Sequence, residues 1–154
     1  MLTLNVIPDI TDNDIMTIED LKNINYYRSC INNTKSVLDN IDYNFLRSST
    51  PSQERVSSSA KRSVLEDKTI KLMEQKEQLE LYIAEKTEEL QCLLLKATSI
   101  INKIRNASQR EILIYRYIDG MKWGEILDKR ECLSEGAQYD LHQRALASFM
   151  SVQE

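Results

Sequence analysis

The sequence predicts an all-α protein: a long antiparallel helical hairpin, coiled-coil-like, followed by a C-terminal helix-turn-helix unit. Three observations carry that prediction. Only three Gly and two Pro occur in 154 residues, too few for the turns of an all-β fold. Through the first two thirds of the chain, apolar residues recur at alternating three- and four-residue steps. The last third, Ser108 to Met150, breaks into three short helical stretches separated by sharp stops. At this length the chain allows one domain, or one small domain with an extended arm.

Residues 1–15 (MLTLNVIPDITDNDI) read as an N-terminal extension. Leu2, Leu4 and Val6 alternate until Pro8 interrupts them, which suits a short strand or an ordered tail as well as a loose terminus. Residues 16–106 form the hairpin. Thr17 with Asp20 suits an N-cap followed by a first-turn acid. Ile24, Tyr27, Ile31, Thr34, Leu38, Ile41 and Phe45 then trace a narrow seam in which only Thr34 is polar. The segment 47–63 is a linker, because seven serines and one Pro compete with helical hydrogen bonds there. It reads as a plain interhelix loop, or as a loop for phosphorylation or partner binding.

From Val64 to about Asn106 no Gly or Pro interrupts the longest helix. One heptad series runs Leu65, Leu72, Leu79, Lys86, Leu93, Ile100, and its partner runs Thr69, Lys76, Ile83, Leu90, Ala97, Ile104. A helix of about 40 residues is about 60 Å long and cannot stand alone on so narrow a stripe. The first helix supplies a partner by folding back through the serine linker. The seam positions Leu72, Leu79, Ile83, Leu90, Leu93 and Ile100 therefore pair within the hairpin or between two chains. The second helix outruns the first by about four turns. Its surplus must meet the C-terminal unit or a second copy, and a homodimer is predicted on that basis. Lys76 and Lys86 on the seam either set register or snorkel outward.

Residues 107–154 form the last unit. Ser108 is the expected N-cap of a helix carrying Ile112, Leu113, Tyr115, Tyr117 and Ile118, and Asp119-Gly120 ends it. Trp123, Ile126 and Leu127 mark a second short helix. After Lys129 to Leu133, Ser134 caps a third, with Leu141, Ala145, Leu146 and Phe149 on one side. Tyr117, Trp123, Ile126, Leu133, Leu141 and Leu146 are expected to be buried together. Two short helices joined by a turn behind a supporting helix follow the helix-turn-helix plan.

These residues carry a resemblance. The Ile112-Leu113 pair, Arg116 to Gly120, Trp123 with Glu125-Ile126, Ser134, Tyr139, Leu141-His142 and Ala145-Leu146 resemble region four of primary sigma factors. With the long upstream helix and its Ser-rich linker, the chain looks closer still to small Gram-positive phage proteins of the ArpU/RinA type. Those are late-transcription regulators with a sigma-like C-terminus, and the likeness covers roughly residues 16–150. It implies a phage or prophage transcription regulator that binds double-stranded promoter DNA, with host RNA polymerase as a partner.

Charge bears on that expectation. There are 20 basic and 24 acidic residues, a formal −4, whereas a protein that grips DNA unaided is usually basic. Such a regulator would draw affinity from two half-sites or from a joint complex with polymerase. The third helix of the last unit would enter the major groove, with Glu135, Gly136, Gln138, Asp140, Gln143 and Arg144 outward. Lys129, Arg130, Ser134, Gln138, Gln143 and Arg144 are the candidate DNA contacts. The competing reading is a protein-binding module that keeps the fold without reading DNA, and binds or inhibits RNA polymerase or a defence factor.

No nucleophile-base arrangement, phosphate loop or metal spacing is visible, so neither an enzyme nor a cofactor is expected. His142, the sole histidine, is expected to pack structurally. Cys30, Cys92 and Cys132 have no short spacing and read as reduced thiols of a cytoplasmic protein in the bacterial host. No secretion signal or membrane span is legible.

Overall fold

The computed structural model describes residues 15–48, 59–131 and 134–154. The expected extension before Ile15, most of the serine linker, and Cys132 with Leu133 lie outside the described residues. Every regular element among the described residues is helical: α1 (Ile18–Ser48), α2 (Ser59–Ile101), α3 (Ala107–Leu113), α4 (Trp123–Lys129) and α5 (Glu135–Ser151). A π-helical turn, Ile114–Ile118, prolongs α3, and the Asp119 N–H reaches back to the Ile114 carbonyl at 2.8 Å. No described helix is long and apolar enough to cross a membrane.

Two compact units divide the described chain. One runs through Asn25 and resumes at Leu93–Glu154; the other is Tyr26–Cys92. Both long helices pass through both units.

In the Tyr26–Cys92 unit, α1 and α2 pack side by side and antiparallel. Lys76 Nζ meets Asp42 Oδ1 at 3.0 Å, while ten residues further along α2 Lys86 Nζ lies 5.3 Å from the centre of the Tyr27 ring. Most of the expected seam positions in this unit are shielded from solvent. Ile31 is buried, and Tyr27, Thr34, Leu38, Ile41, Leu72, Leu79, Ile83 and Leu90 are half-buried between exposed neighbours. Lys76 leans outward to Asp42. Lys86 stays along the seam, between the Tyr27 and Tyr82 rings and 3.1 Å from Glu89 Oε2. At its linker end the stripe runs out, and Leu65 is 62% exposed.

The other unit holds the core. Met16, Leu21, Ile24, Ala97, Ile100, Ile101, Ile104, Ile112, Leu113, Tyr117, Ile126, Ala145, Leu146 and Phe149 are all buried there. The surplus stripe of α2 thus ends inside the C-terminal unit. The start of α1 is fastened by a reciprocal cap, in which Asp20 N donates to Thr17 Oγ1 and Thr17 N to Asp20 Oδ2. Gln153 ties the far end of the chain to the same place. Its Oε1 accepts from Met16 N at 2.7 Å and its Nε2 donates to Met16 O at 2.9 Å.

Two expectations are corrected here. The N-cap of α3 is Asn106, whose Oδ1 accepts from Gln109 N at 3.1 Å, and Ser108 already lies in the helix. Trp123 is 36% exposed and Leu141 half-buried, so neither joins Tyr117, Ile126 and Leu146 in the core; Leu133 lies outside the described residues. On α5 the buried row is instead Gln138, His142, Ala145, Leu146 and Phe149. That row follows the helical spacing one step to the side of Leu141.

Candidate functional site

The candidate site is the α4–turn–α5 region, where α5 is anchored at its far end and exposed on its outer face at its start. Gly120, at φ 71°, closes the helix before α4 as a left-handed cap. Lys122 N donates to Glu125 Oε2 at 2.8 Å and so begins α4. Arg130 N closes it on the Ile126 carbonyl at 3.0 Å. Glu131 then takes φ 38°, a left-handed conformation costly for a residue with a side chain. Ser134 caps α5, its Oγ accepting from Ala137 N at 3.2 Å. Beyond that cap Glu135, Gly136, Tyr139, Asp140, Gln143 and Arg144 are exposed.

The six residues expected to contact DNA have divergent placements. Gln143 and Arg144 are exposed side by side on α5. Ser134 is occupied as the cap. Gln138, expected outward, is 5% exposed, and its Nε2 donates to the Trp123 carbonyl at 3.1 Å. That carbonyl lies in the first turn of α4, and the buried amide holds α5 against it. Arg130 keeps only 12% of its side chain exposed and meets Glu111 Oε2 at 2.9 Å. Glu111 also accepts from the Tyr115 hydroxyl at 2.7 Å, which raises the Tyr115 pKa. Lys129 is exposed, but its Nζ lies 4.5 Å from the centre of the Tyr115 ring. Arg116 stacks on Trp123 at 4.7 Å and donates to the Met121 carbonyl at 3.0 Å. Arg110 donates to the Ile104 and Arg105 carbonyls. Within residues 107–154, four of the six cations, Arg110, Arg116, Lys129 and Arg130, are thus engaged inside the fold.

Beneath the exposed turns lies a polar cluster that sequence reasoning only half anticipated. His142, buried as expected, has Nε2 3.0 Å from the Tyr117 hydroxyl and its ring edge-on to Trp123 at 4.6 Å. Burial first, then the positive charges of Arg116 and Lys22, lower its pKa to about 4. The imidazole is therefore neutral near neutral pH. Burial likewise raises the Tyr117 pKa. Trp123, Leu127, Tyr139 and His142 wall an open cavity of about 270 Å³ between α4 and α5, with Gln138 and Glu135 alongside. Among the described residues no three His, Cys, Asp or Glu side chains come together to hold a metal ion. The missed feature, the inward Gln138, had a signal. Steps of four, three and four from Phe149 back through Ala145 and His142 arrive at it.

The fold and site define an all-α chain with a hairpin and a short-helix, turn, long-helix unit at its C-terminal end. Compared with known families, residues 45–149, more than half of the chain, match the family described as "Protein of unknown function (DUF1492)", and the chain belongs to it. No curated protein matches. No solved structure matches.

Proposed function

We propose that the protein is a phage- or prophage-encoded transcription regulator, acting in the cytoplasm of its bacterial host. Its sigma-like helix-turn-helix meets double-stranded promoter DNA. One observation carries the reading: α5 is fixed by Ala145, Leu146 and Phe149 in the core, while the outer face of its capped first turns is exposed. A recognition helix needs that combination, since a groove admits only a helix whose leading turns are uncovered and rigidly held. Gln143 and Arg144 are the side chains best placed to reach base edges or phosphates, with Lys122 and Lys129 on the flank. Gln138 acts as a positioning residue and Arg130 as a strut. With so few uncommitted cations, affinity comes from a second half-site in a homodimer, or from a joint complex with RNA polymerase.

A second reading is favoured by a different observation. Glu135 and Asp140 share the exposed face of α5 with Arg144, and carboxylates oppose a polyanion. The same helix would then serve a protein partner, polymerase or a defence factor, without DNA. Selection from a random duplex pool at two salt concentrations separates the two. The regulator reading expects an enriched motif whose recovery falls steeply with salt. A pool that stays unenriched at low salt rejects it in favour of the protein partner.

A further inference from the structure

The face of α2 turned away from the hairpin seam is not an ordinary solvated surface. Ile70, Met73 and Leu81 lie on it, each more than half exposed (53, 58 and 65%). At 3.6 residues per turn they fall within one stripe, opposite the seam positions Leu72, Leu79 and Ile83. Isolated exposed apolar residues need no explanation, but three within twelve residues on one stripe form a patch. Within about 60° of Ile70 around the helix, the charges of this stretch are all of one sign. Asp67, Glu74, Glu77, Glu85 and Glu88 share this face and are exposed. The lysines of this stretch point elsewhere: Lys76 and Lys86 are engaged along the seam, and Lys71 and Lys68 lie about 100° or more around the helix from Ile70.

The sign of the charge selects the occupant. A second copy laid on this face sets carboxylate against carboxylate in either orientation, which is repulsive. Nucleic acid and anionic lipid are repelled in the same way. A helix with an apolar stripe fenced by Lys and Arg meets both requirements at once, the apolar contacts supplying affinity and the flanking cations register. From Asp67 to Glu88 the face extends about 30 Å, room for about six helical turns. We propose that the outer face of α2, centred on Met73, Glu77 and Leu81, is a docking surface for a basic amphipathic helix of another protein. The proposal is independent of whether α5 reads DNA.

The test is fluorescence anisotropy with the full chain and a labelled 21-residue peptide that is helical, with leucines on one stripe and lysines beside it. The full chain should bind this peptide at least tenfold more tightly than a scrambled peptide of the same composition, and than the same peptide with Glu replacing Lys. Met73→Ser with Leu81→Ser alters only exposed positions. It should leave the circular dichroism unchanged and weaken peptide binding at least tenfold. Glu74→Gln with Glu77→Gln and Glu85→Gln should flatten the salt dependence. Equal affinity for the scrambled peptide, or unchanged binding by the serine variant, overturns the proposal. So does a dimer, seen by sedimentation, that Leu81→Ser dissociates, because the occupant is then a second copy.

Discussion

His142 sits where its charged form is opposed from several directions, by burial and by the positive charges of Arg116 and Lys22. Its folded pKa of about 4 lies below the ordinary value of 6.5, so the unfolded chain takes up the proton first as pH falls. Stability should be level above about pH 6.5, decline by about 3 kcal/mol towards pH 4, and level off below it as far as this group is concerned. Denaturant midpoints across that range check this, and His142→Gln should flatten the slope. Tyr117→Phe strips the hydroxyl from Nε2 and should cost about 1–2 kcal/mol at neutral pH, read from urea unfolding. That His142 would be a structural residue was legible from its neighbour Leu141 and its lack of ligand partners. The failure at Trp123 is instructive in the opposite sense. A large aromatic in a short helix is a natural core candidate, but here Arg116 and the His142 edge hold the indole at the rim of a cavity. Trp123→Ala should therefore cost about 1–2 kcal/mol, whereas Phe149→Ala, at a fully buried position, should cost about 3–5. Chemical denaturation of the two variants side by side tests that ranking.

At the scale of the element, α5 shows what periodicity can and cannot supply. Its existence, its Ser134 cap and its anchor at Ala145, Leu146 and Phe149 follow from spacing and capping chemistry. Which polar residue turns inward does not, because the deciding partner is the Trp123 carbonyl on another helix. Nor could the sequence choose Asn106 over Ser108 as the cap of α3, since both side chains are competent caps. If α5 is the recognition helix, Arg144→Ala should weaken duplex binding across sequences and reduce the salt slope by about one; Gln138→Ala should act mainly through stability. Titrations at several salt concentrations, paired with melting curves, distinguish these effects. Gly136 has open space where a Cβ would stand, so Gly136→Ala should stabilise the helix by about 0.5 kcal/mol, measurable by melting.

Across the whole molecule, burial is distributed unevenly. Among the described residues of the Tyr26–Cys92 unit, Ile31 is the one buried apolar side chain. Nearly all the enclosed apolar surface lies in the other unit. Opening free energy should follow that distribution. In hydrogen exchange, amides of α3, α5 and the last turns of α2 should be the slowest, and those of residues 64–80 should exchange orders of magnitude sooner. Uniform protection along α2 would contradict it. The hairpin itself was legible because a heptad seam is a one-dimensional pattern that depends little on the rest of the fold. The meeting of Met16 and Gln153 was not, because it joins residues 137 positions apart.

Because α1 and α2 pass uninterrupted from one unit into the other, the hairpin has a length that is free to vary and a phase that is not. Removing residues 34–40 together with 74–80 would take two turns from each arm. It would rotate the remainder of each helix by only about 20° and return Ile41 and Ile83 to vacated seam positions. Removing five residues from one arm would swing its remainder through about 140° and carry the apolar stripe off its partner. Insertions and deletions compatible with this architecture should thus come in matched sevens, with the buried core untouched by the hairpin's reach.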